Sequence, residues 1–360
     1  MKLGIIGVGA VGSATAMAAA LRARVREIVL IDRDRARAKA VATDMHYGVA
    51  LSPLVSIRDG DYADLADAGL AIITAGVNEK AGGATDRSDP AGRLRLLDAN
   101  VKVFQDIVPK LVKAAPQAVI LVATDPPEPL VDVARQLAGH DRVMGTSTYL
   151  DSLRFRLHVG ERLGVGPGVV EANVVGEHGT SSVFLWSSAR VGGMPVRDLL
   201  AQHNIEFDAF RKAVEQDVRF ANITIIEGIG ASQYGIGTVS ARIAEVILRD
   251  ERAVFPAGSY NPHFGTTVSL PASSAARVSS WCSSRQCPTR RSRDSNVAPR
   301  ALRKRCASTS ALECDPSRFQ PRPVFQYARY ALSTPAFGNG SKAAGRRARS
   351  TTSPHPRTKV

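Results

Sequence analysis

The chain opens with an apolar run, Leu3 to Ile6, and passes at once into Gly7 Val8 Gly9 Ala10 Val11 Gly12. No other feature constrains the fold as tightly. Three glycines at those spacings permit a sharp turn between a buried strand and a helix, with main-chain amides and the helix N-terminus turned outward toward a dinucleotide pyrophosphate. Three glycines can also serve only to make a turn, so the context decides. A second apolar run, Ile28 to Asp32, ends in a carboxylate about 20 residues on, where an acid meets a ribose diol. A negative Asp32 repels a 2′-phosphate and points to NAD rather than NADP, although Arg33 beside it pulls the other way.

The opening pattern repeats as far as Gly145. Strands are predicted at Leu3 to Val8, Ile28 to Asp32, Val55 to Arg58, Ala71 to Ala75, Ala118 to Ala123 and Arg142 to Met144, separated by amphipathic stretches of helical period. Strands that are apolar throughout are buried on both faces, as in a parallel sheet covered by crossover helices. The expected fold is therefore α/β, a Rossmann-type doubly wound parallel sheet over residues 1–146. A mixed α+β substrate domain is expected over 147–270, with a helix from Tyr149 through Leu163, a strand from Glu171 to Val175, and helices near Phe207 to Phe220 and Val239 to Arg249.

Charge divides the chain differently. Residues 271–360 hold 18 of the 47 Lys and Arg but only 3 of the 33 Asp and Glu, leaving a nearly neutral body of 29 basic and 30 acidic residues. All four cysteines, Cys282, Cys287, Cys306 and Cys314, lie in that basic stretch, without a CxxC pair or a histidine at ligand spacing, so no metal site is expected. The stretch has neither helical nor strand period and is expected to be disordered. No secretory signal and no apolar run of the ~20 residues needed to span a membrane is expected, which makes a reducing, cytoplasmic setting the default.

Two further segments carry chemistry. Asp151 Ser152 Leu153 Arg154 precedes Gly176 Glu177 His178 Gly179, and together they offer a proton carrier, a carboxylate to orient it and a guanidinium for an anionic substrate. A lone histidine is more often a core residue, and Asp with Arg three apart more often a helix ion pair. The ordered set beside a dinucleotide turn favours hydride transfer with proton transfer through His178. A planar guanidinium fixes a carboxylate by two parallel hydrogen bonds, which suits Arg154. Asp151 would favour the imidazolium and hold its ring.

Taken in order, GVGAVG from Gly7, TAGVNEK from Thr74, RLRLLDAN from Arg93, YLDSLRFR from Tyr149, GEHGTS from Gly176 and GSYNP from Gly258 resemble the L-lactate and malate dehydrogenase family over residues 1–270. The resemblance implies an NAD-dependent L-2-hydroxy acid dehydrogenase, with lactate and pyruvate the leading pair. It implies that His178 and Asp151 form the proton relay, that Arg154 holds the substrate carboxylate, and that Arg93 closes over the site on a loop and stabilises charge on the carbonyl oxygen. Arg87 is a rival for that last role, but RLRLLDAN fits Arg93. Gly7, Gly9, Val11, Gly12, Asp32, Thr74, Ala75, Gly76 and Asp125 are implied at the cofactor, and Asp125, Ser232 and Glu79 at the substrate. The chain starts at its first strand without the long arm of animal lactate enzymes, so a bacterial-type homodimer or homotetramer is implied. The position seven residues before His178 holds Glu171 rather than the histidine of allosteric relatives. Activation by fructose bisphosphate is therefore not expected, despite the matching Arg156.

Departures from the family pattern sharpen the reading. Glu79 precedes Lys80 where lactate enzymes carry glutamine and malate enzymes arginine; a glutamate repels the second carboxylate of malate. Ala81 to Gly92 is longer than the family loop. Thr124 Asp125 Pro126 replaces Thr Asn Pro, and an ionised Asp125 cannot donate the hydrogen bond that the family asparagine supplies. Beyond Pro271 the family pattern stops abruptly, as a frame shift would produce: permitted GC-rich codons for 271–291, read one base out of register, give SVVGRAGVVVVLEPAMSDEE, which is similar to the family's continuation. Other readings stay open: a malate or other 2-hydroxy acid dehydrogenase, a catalytically impaired NAD-binding protein, or a basic nucleic-acid-binding arm around Arg303 Lys304 Arg305, for which aromatic stacking residues are few.

Overall fold

A computed structural model of the chain describes residues 1–22, 24–51, 54–77, 95–179 and 181–273. Its spine is an eight-stranded sheet. The first half supplies β1 (Lys2–Ile6), α1 (Ala10–Leu21), β2 (Glu27–Ile31), α2 (Arg35–Val49), β3 (Ser56–Asp59), β4 (Leu70–Ile73), α3 (Leu97–Ala114), β5 (Val119–Val122), α4 (Pro127–Ala138) and β6 (Val143–Gly145). These six strands are the predicted ones, and they pair in parallel in the order β3-β2-β1-β4-β5-β6. The order in which successive strands are added reverses between β1 and β4, the switch point at which such sheets bind ligands.

The all-apolar strands fill both faces, as expected. Leu3, Ile5, Leu70 and Ile72 point to the side covered by α1 and α2, whereas Ile6, Ala71 and Ile73 point to the side of α3 and α4. Local chemistry sets the helix ends: the Asp34 carboxylate accepts from Arg37 N at the start of α2, while α4 begins on Pro127 and stops at Gly139, which has a left-handed φ of 68°.

The second half contributes α5 (Tyr149–Leu163), β7 (Val170–Glu171), β8 (Val174–Val175), β9 (Val183–Phe184), β10 (Arg190–Val191), β11 (Met194–Pro195), α6 (Val196–Gln202), α7 (Phe207–Ile229), α8 (Tyr234–Leu248), β12 (Val254–Asn261) and β13 (Thr266–Ser273). Phe155 anchors a separate core, meeting the Phe184 and Trp186 rings edge-on at 5.2 and 4.6 Å. The expected strand from Glu171 to Val175 is two strands in two different sheets, β7 with β10 and β8 with β9, because Ala172 and Asn173 leave the first ladder. The α7 helix runs past the expected Phe220, and α8 begins before Val239.

The largest difference from expectation lies at the end. β12 and β13 form an antiparallel hairpin that extends the first half's sheet through the Gly258–Gly145 pair, so the sheet order ends β6-β12-β13. Pro271, Ala272 and Ser273, expected in the disordered stretch, instead pair with Pro256, Phe255 and Val254. The regular hydrogen-bonding partner strand extends order past the point where the sequence pattern breaks.

Candidate active site

A cleft of about 380 Å³ opens at the switch point. At one end the β1–α1 turn is built on glycine geometry. Gly7 has a φ of 96°, and a Cβ on Gly12 would sit 1.9 Å from the Gly7 carbonyl oxygen. A Cβ on Gly9, by contrast, would meet nothing within 4 Å, and no side chain caps α1. The first amides of α1 thus face open space beside a main chain that a phosphate can approach closely. Asp32 accepts from Val8 N at 2.7 Å and from Asp34 N at 3.0 Å, which ties the end of β2 to this turn. Thr74 Oγ1 donates to the Gly7 carbonyl at 2.6 Å, and Thr124 Oγ1 to that of Ala75 at 2.9 Å. These features fit a dinucleotide.

At the other end, Asp151 and Arg154 project from α5 and His178 from the loop after β8. Asp151 Oδ2 lies 2.5 Å from His178 Nδ1, and Asp151 Oδ1 accepts from Arg154 at 3.2 Å. An ionised carboxylate can only accept, so Nδ1 donates to Asp151 and proton exchange with a substrate falls to Nε2. Three buried hydroxyls hold this register. Thr148 Oγ1 donates to the Val174 carbonyl at 2.6 Å, Ser152 Oγ accepts from Val174 N at 2.8 Å, and Ser269 Oγ lies 2.7 Å from Thr148 Oγ1. Ser269 also exchanges both main-chain hydrogen bonds with Gly176, each 2.8 Å long. The last described strand, β13, therefore pins both halves of the acid–base pair, and Asp132 on α4 pins β13 in turn through Thr266 and Thr267.

Beneath His178 lies a second carboxyl. Glu128, the second residue of α4 and 3% exposed, accepts from His178 N at 3.1 Å. Burial pushes its carboxyl up to about 7; the charge of His178 opposes that rise and Glu177 adds to it.

Of the expected site residues, Gly9, Val11, Thr74, Gly76, Asp125, Arg154, His178 and Ser232 line the cleft. Gly7, Gly12, Asp32, Ala75 and Asp151 stand behind that lining, and Glu79 and Arg93, with Lys80 and Arg87, lie outside the described residues. Arg156 is engaged by the Ala172 carbonyl and the Asn173 side chain. Several site residues lie outside the expected set. Asn100 clamps the loops after β4 and β5 by accepting from Val77 N and donating to the Asp125 carbonyl, both at 2.8 Å. Asn222 lines the cleft from α7, where it interrupts the buried stripe Val214, Val218, Ile226. Glu128 likewise breaks the apolar face of α4 three residues before Val131. A polar residue inside an apolar helical stripe was the readable signal in both cases.

Comparison with known proteins agrees with this geometry. Residues 1–145 match a family model described as the lactate/malate dehydrogenase NAD binding domain, and residues 148–278 match one described as the lactate/malate dehydrogenase alpha/beta C-terminal domain. The L-lactate dehydrogenase of Chloroherpeton thalassium is 45% identical over 274 residues, 75% of this chain and 87% of the relative. That of Deinococcus radiodurans is 42% identical over 272 residues, with the same coverage of each chain. Among solved structures, a lactate dehydrogenase from a Medee basin deep-sea metagenome library superposes with a TM-score of 0.70 at 32% identity, over 76% of this chain and 88% of the other. The minor L-lactate dehydrogenase of Enterococcus mundtii gives 0.69 at 32% identity, over 76% and 86%.

Proposed function

The chain belongs to the lactate/malate dehydrogenase family, and from that premise we propose that it is an NAD-dependent L-lactate dehydrogenase in which His178 is the acid–base group. One observation carries the reading: a carboxylate-held imidazole and a guanidinium converge on the cleft whose far end is the uncapped start of α1. When bound along that end, NAD supplies or accepts the hydride. The amides of Gly9 to Val11, with Asp32 behind them and the Thr74 to Gly76 and Asp125 loops alongside, would hold it.

The residues of the chain do the rest. Arg154 fixes the substrate carboxylate with its planar fork and so orients the carbonyl toward His178. In reduction, His178 Nε2 gives its proton to the carbonyl oxygen as negative charge develops there; in oxidation the neutral ring takes the hydroxyl proton. Asp151 stabilises the imidazolium and fixes the ring through Nδ1. Arg93, which precedes α3 in the sequence, belongs to this reading as a further stabiliser of the oxygen.

The acid is lactate rather than malate on two grounds. Glu79 would repel a second carboxylate. Among the described residues the guanidiniums lining the cleft are those of Arg154 and Arg37; Arg37 belongs to α2, which follows Asp32 at the cofactor end, so Arg154 is left for one carboxylate. The reading also includes residues 1–146 as the cofactor domain and 147–270 as the substrate domain, assembly as a homodimer or homotetramer, and a cytoplasmic setting. No helix among the described residues is long and apolar enough to cross a membrane.

The test is NADH oxidation by the full chain with pyruvate, oxaloacetate and bulkier 2-oxo acids, beside His178→Asn. Turnover with pyruvate that is lost in the variant is the expected result. Turnover surviving in the variant would remove His178 from its role. The family match ends at residue 278, which favours a second reading, a folded cofactor binder of poor turnover. Tight NADH binding without turnover on any acid would select it.

A further inference from the structure

We infer that Glu128 is a positioning residue for the acid–base pair, anchoring the main chain of His178 and, by ionising, holding the proton on the imidazole as the pH rises. This inference rests on the reading of His178 as the proton carrier. The geometry is specific. Glu128 Oε1 takes the His178 N–H at 3.1 Å, while Oε2 is buried and has no hydrogen-bond partner among the described residues. Oε2 is thus the atom that carries the proton in the acid form. The burial of the anion is offset by the charge of His178 and by main-chain hydrogen bonds from Glu128 and His178.

His178 meets two carboxyls with different commitments, Asp151 at its ring and Glu128 at its main-chain N–H. Asp151 shares its charge with Arg154 as well as with His178. The charged neighbours felt by Glu128 are His178, which favours its anion, and Glu177, which opposes it. On its own helix, Asp132 is turned to Thr266 and Thr267, and Arg135 to Asp141 and the Tyr260 ring. The ionisable side chains of α3 that could face it, Asp98, Lys102, Asp106, Lys110 and Lys113, are all exposed. The strands beside it, β5, β6, β12 and β13, carry none except Tyr260. The proton on Glu128 is therefore linked chiefly to the charge of His178, with Glu177 opposing.

The consequence follows from order of ionisation. A carboxyl lifted to about 7 is neutral in mild acid, where Asp151 alone supports the imidazolium. As the pH rises, Glu128 loses its proton, and the new negative charge opposes loss of the proton from His178. The form of His178 needed for reduction then persists to higher pH than Asp151 alone would allow.

Isotope-labelled histidine in the full-length chain provides the test, with the His178 resonance identified among the seven histidines by its loss in His178→Asn. In Glu128→Gln the His178 midpoint is expected to fall by roughly one pH unit, and the alkaline limit of pyruvate reduction to fall with it. Glu128→Asp, which keeps the charge, should recover most of the shift. An unmoved midpoint in Glu128→Gln, with activity lowered equally at every pH, would reduce Glu128 to a structural part and overturn the inference. Should Glu128→Gln not fold, the Glu128 carboxyl carbon is titrated in the unaltered chain. A midpoint near neutrality that shifts in His178→Asn supports the linkage, and one at an ordinary ~4 overturns it. Because these readouts need no turnover, a failure of His178 as catalytic acid would appear separately, as activity surviving in His178→Asn.

Discussion

The two ends of the cleft are made of different material. At the cofactor end, recognition rests on main-chain amides exposed by a glycine turn, and the supporting hydrogen bonds run between side chains and backbone. At the acid–base end, it rests on side-chain charges that are almost wholly buried, Asp151 at 4% and Glu128 at 3% exposure, kept in register by three hydroxyls. A backbone site is defined by shape and fails when space is filled. A buried charged site is defined by ionisation and fails when one atom or one proton is removed. The most severe single change should therefore fall at the second end. His178→Asn is expected to lower turnover by about 100- to 10,000-fold while NADH binding, followed by fluorescence, is retained. Loss of cofactor binding in that variant would break the division between the ends.

At the first end the matching experiment fills space without disturbing the fold. Gly9 has a φ of −79° and room for a Cβ, so Gly9→Ala costs no backbone strain. The added methyl would occupy the approach to the first amides of α1. The KM for NADH should rise by on the order of tenfold or more, as expected for pushing a charged group off its donors, with Tm changed by less than about 2 °C. A fall in Tm without a change in KM would mean that the turn is structural only.

The same contrast explains what the sequence disclosed. The glycine turn, Asp32 and the six parallel strands were legible because strand period and turn chemistry are local. The trio His178, Asp151 and Arg154 was legible through ordered strings, although their convergence depends on Thr148, Ser152 and Ser269, which are distant in sequence from one another's partners. Glu128 and Asn222 were hidden because a buried polar residue on an apolar helix face acquires meaning only when the opposing element is known. The β12–β13 hairpin was hidden for a related reason. Its antiparallel pairing to β6 is non-local, so the expected end of the family pattern at Pro271 fell short both of the ladder to Ser273 and of the family match to residue 278.

Asp125 lies between the two ends and tests whether the division is complete. It is half-buried, lines the cleft, and its main-chain carbonyl is held by Asn100 Nδ2 at 2.8 Å. Ionised, its side chain can only accept hydrogen bonds and opposes charge growth on a substrate oxygen. Asp125→Asn restores a donor of the same size. It is expected to raise kcat/KM for pyruvate by on the order of tenfold. Equal or slower turnover would show that the Asp125 carboxylate does not act on the reacting oxygen.

The smallest expected effect tests the boundary from the other side. Ser147, between β6 and α5, lines the cleft and combines a left-handed φ of 43° with a buried hydroxyl that has no hydrogen-bond partner among the described residues. It fits only because Gly258 is opposite: a Cβ there would lie 2.1 Å from Ser147 Oγ. Burying an unpaired hydroxyl costs about 1 to 3 kcal/mol, so Ser147→Ala should stabilise the fold and raise Tm by roughly 2–4 °C. A hydroxyl retained at that cost in a ligand cleft is expected to serve the ligand, and the KM for NADH should rise several-fold in the same variant. If Tm rises and KM stays fixed, Ser147 contributes nothing to binding and the cofactor end is a main-chain site without side-chain donors from this segment. If Tm falls, the hydroxyl supports the junction of β6 with β12, and the strain at residue 147 is offset by packing rather than by function.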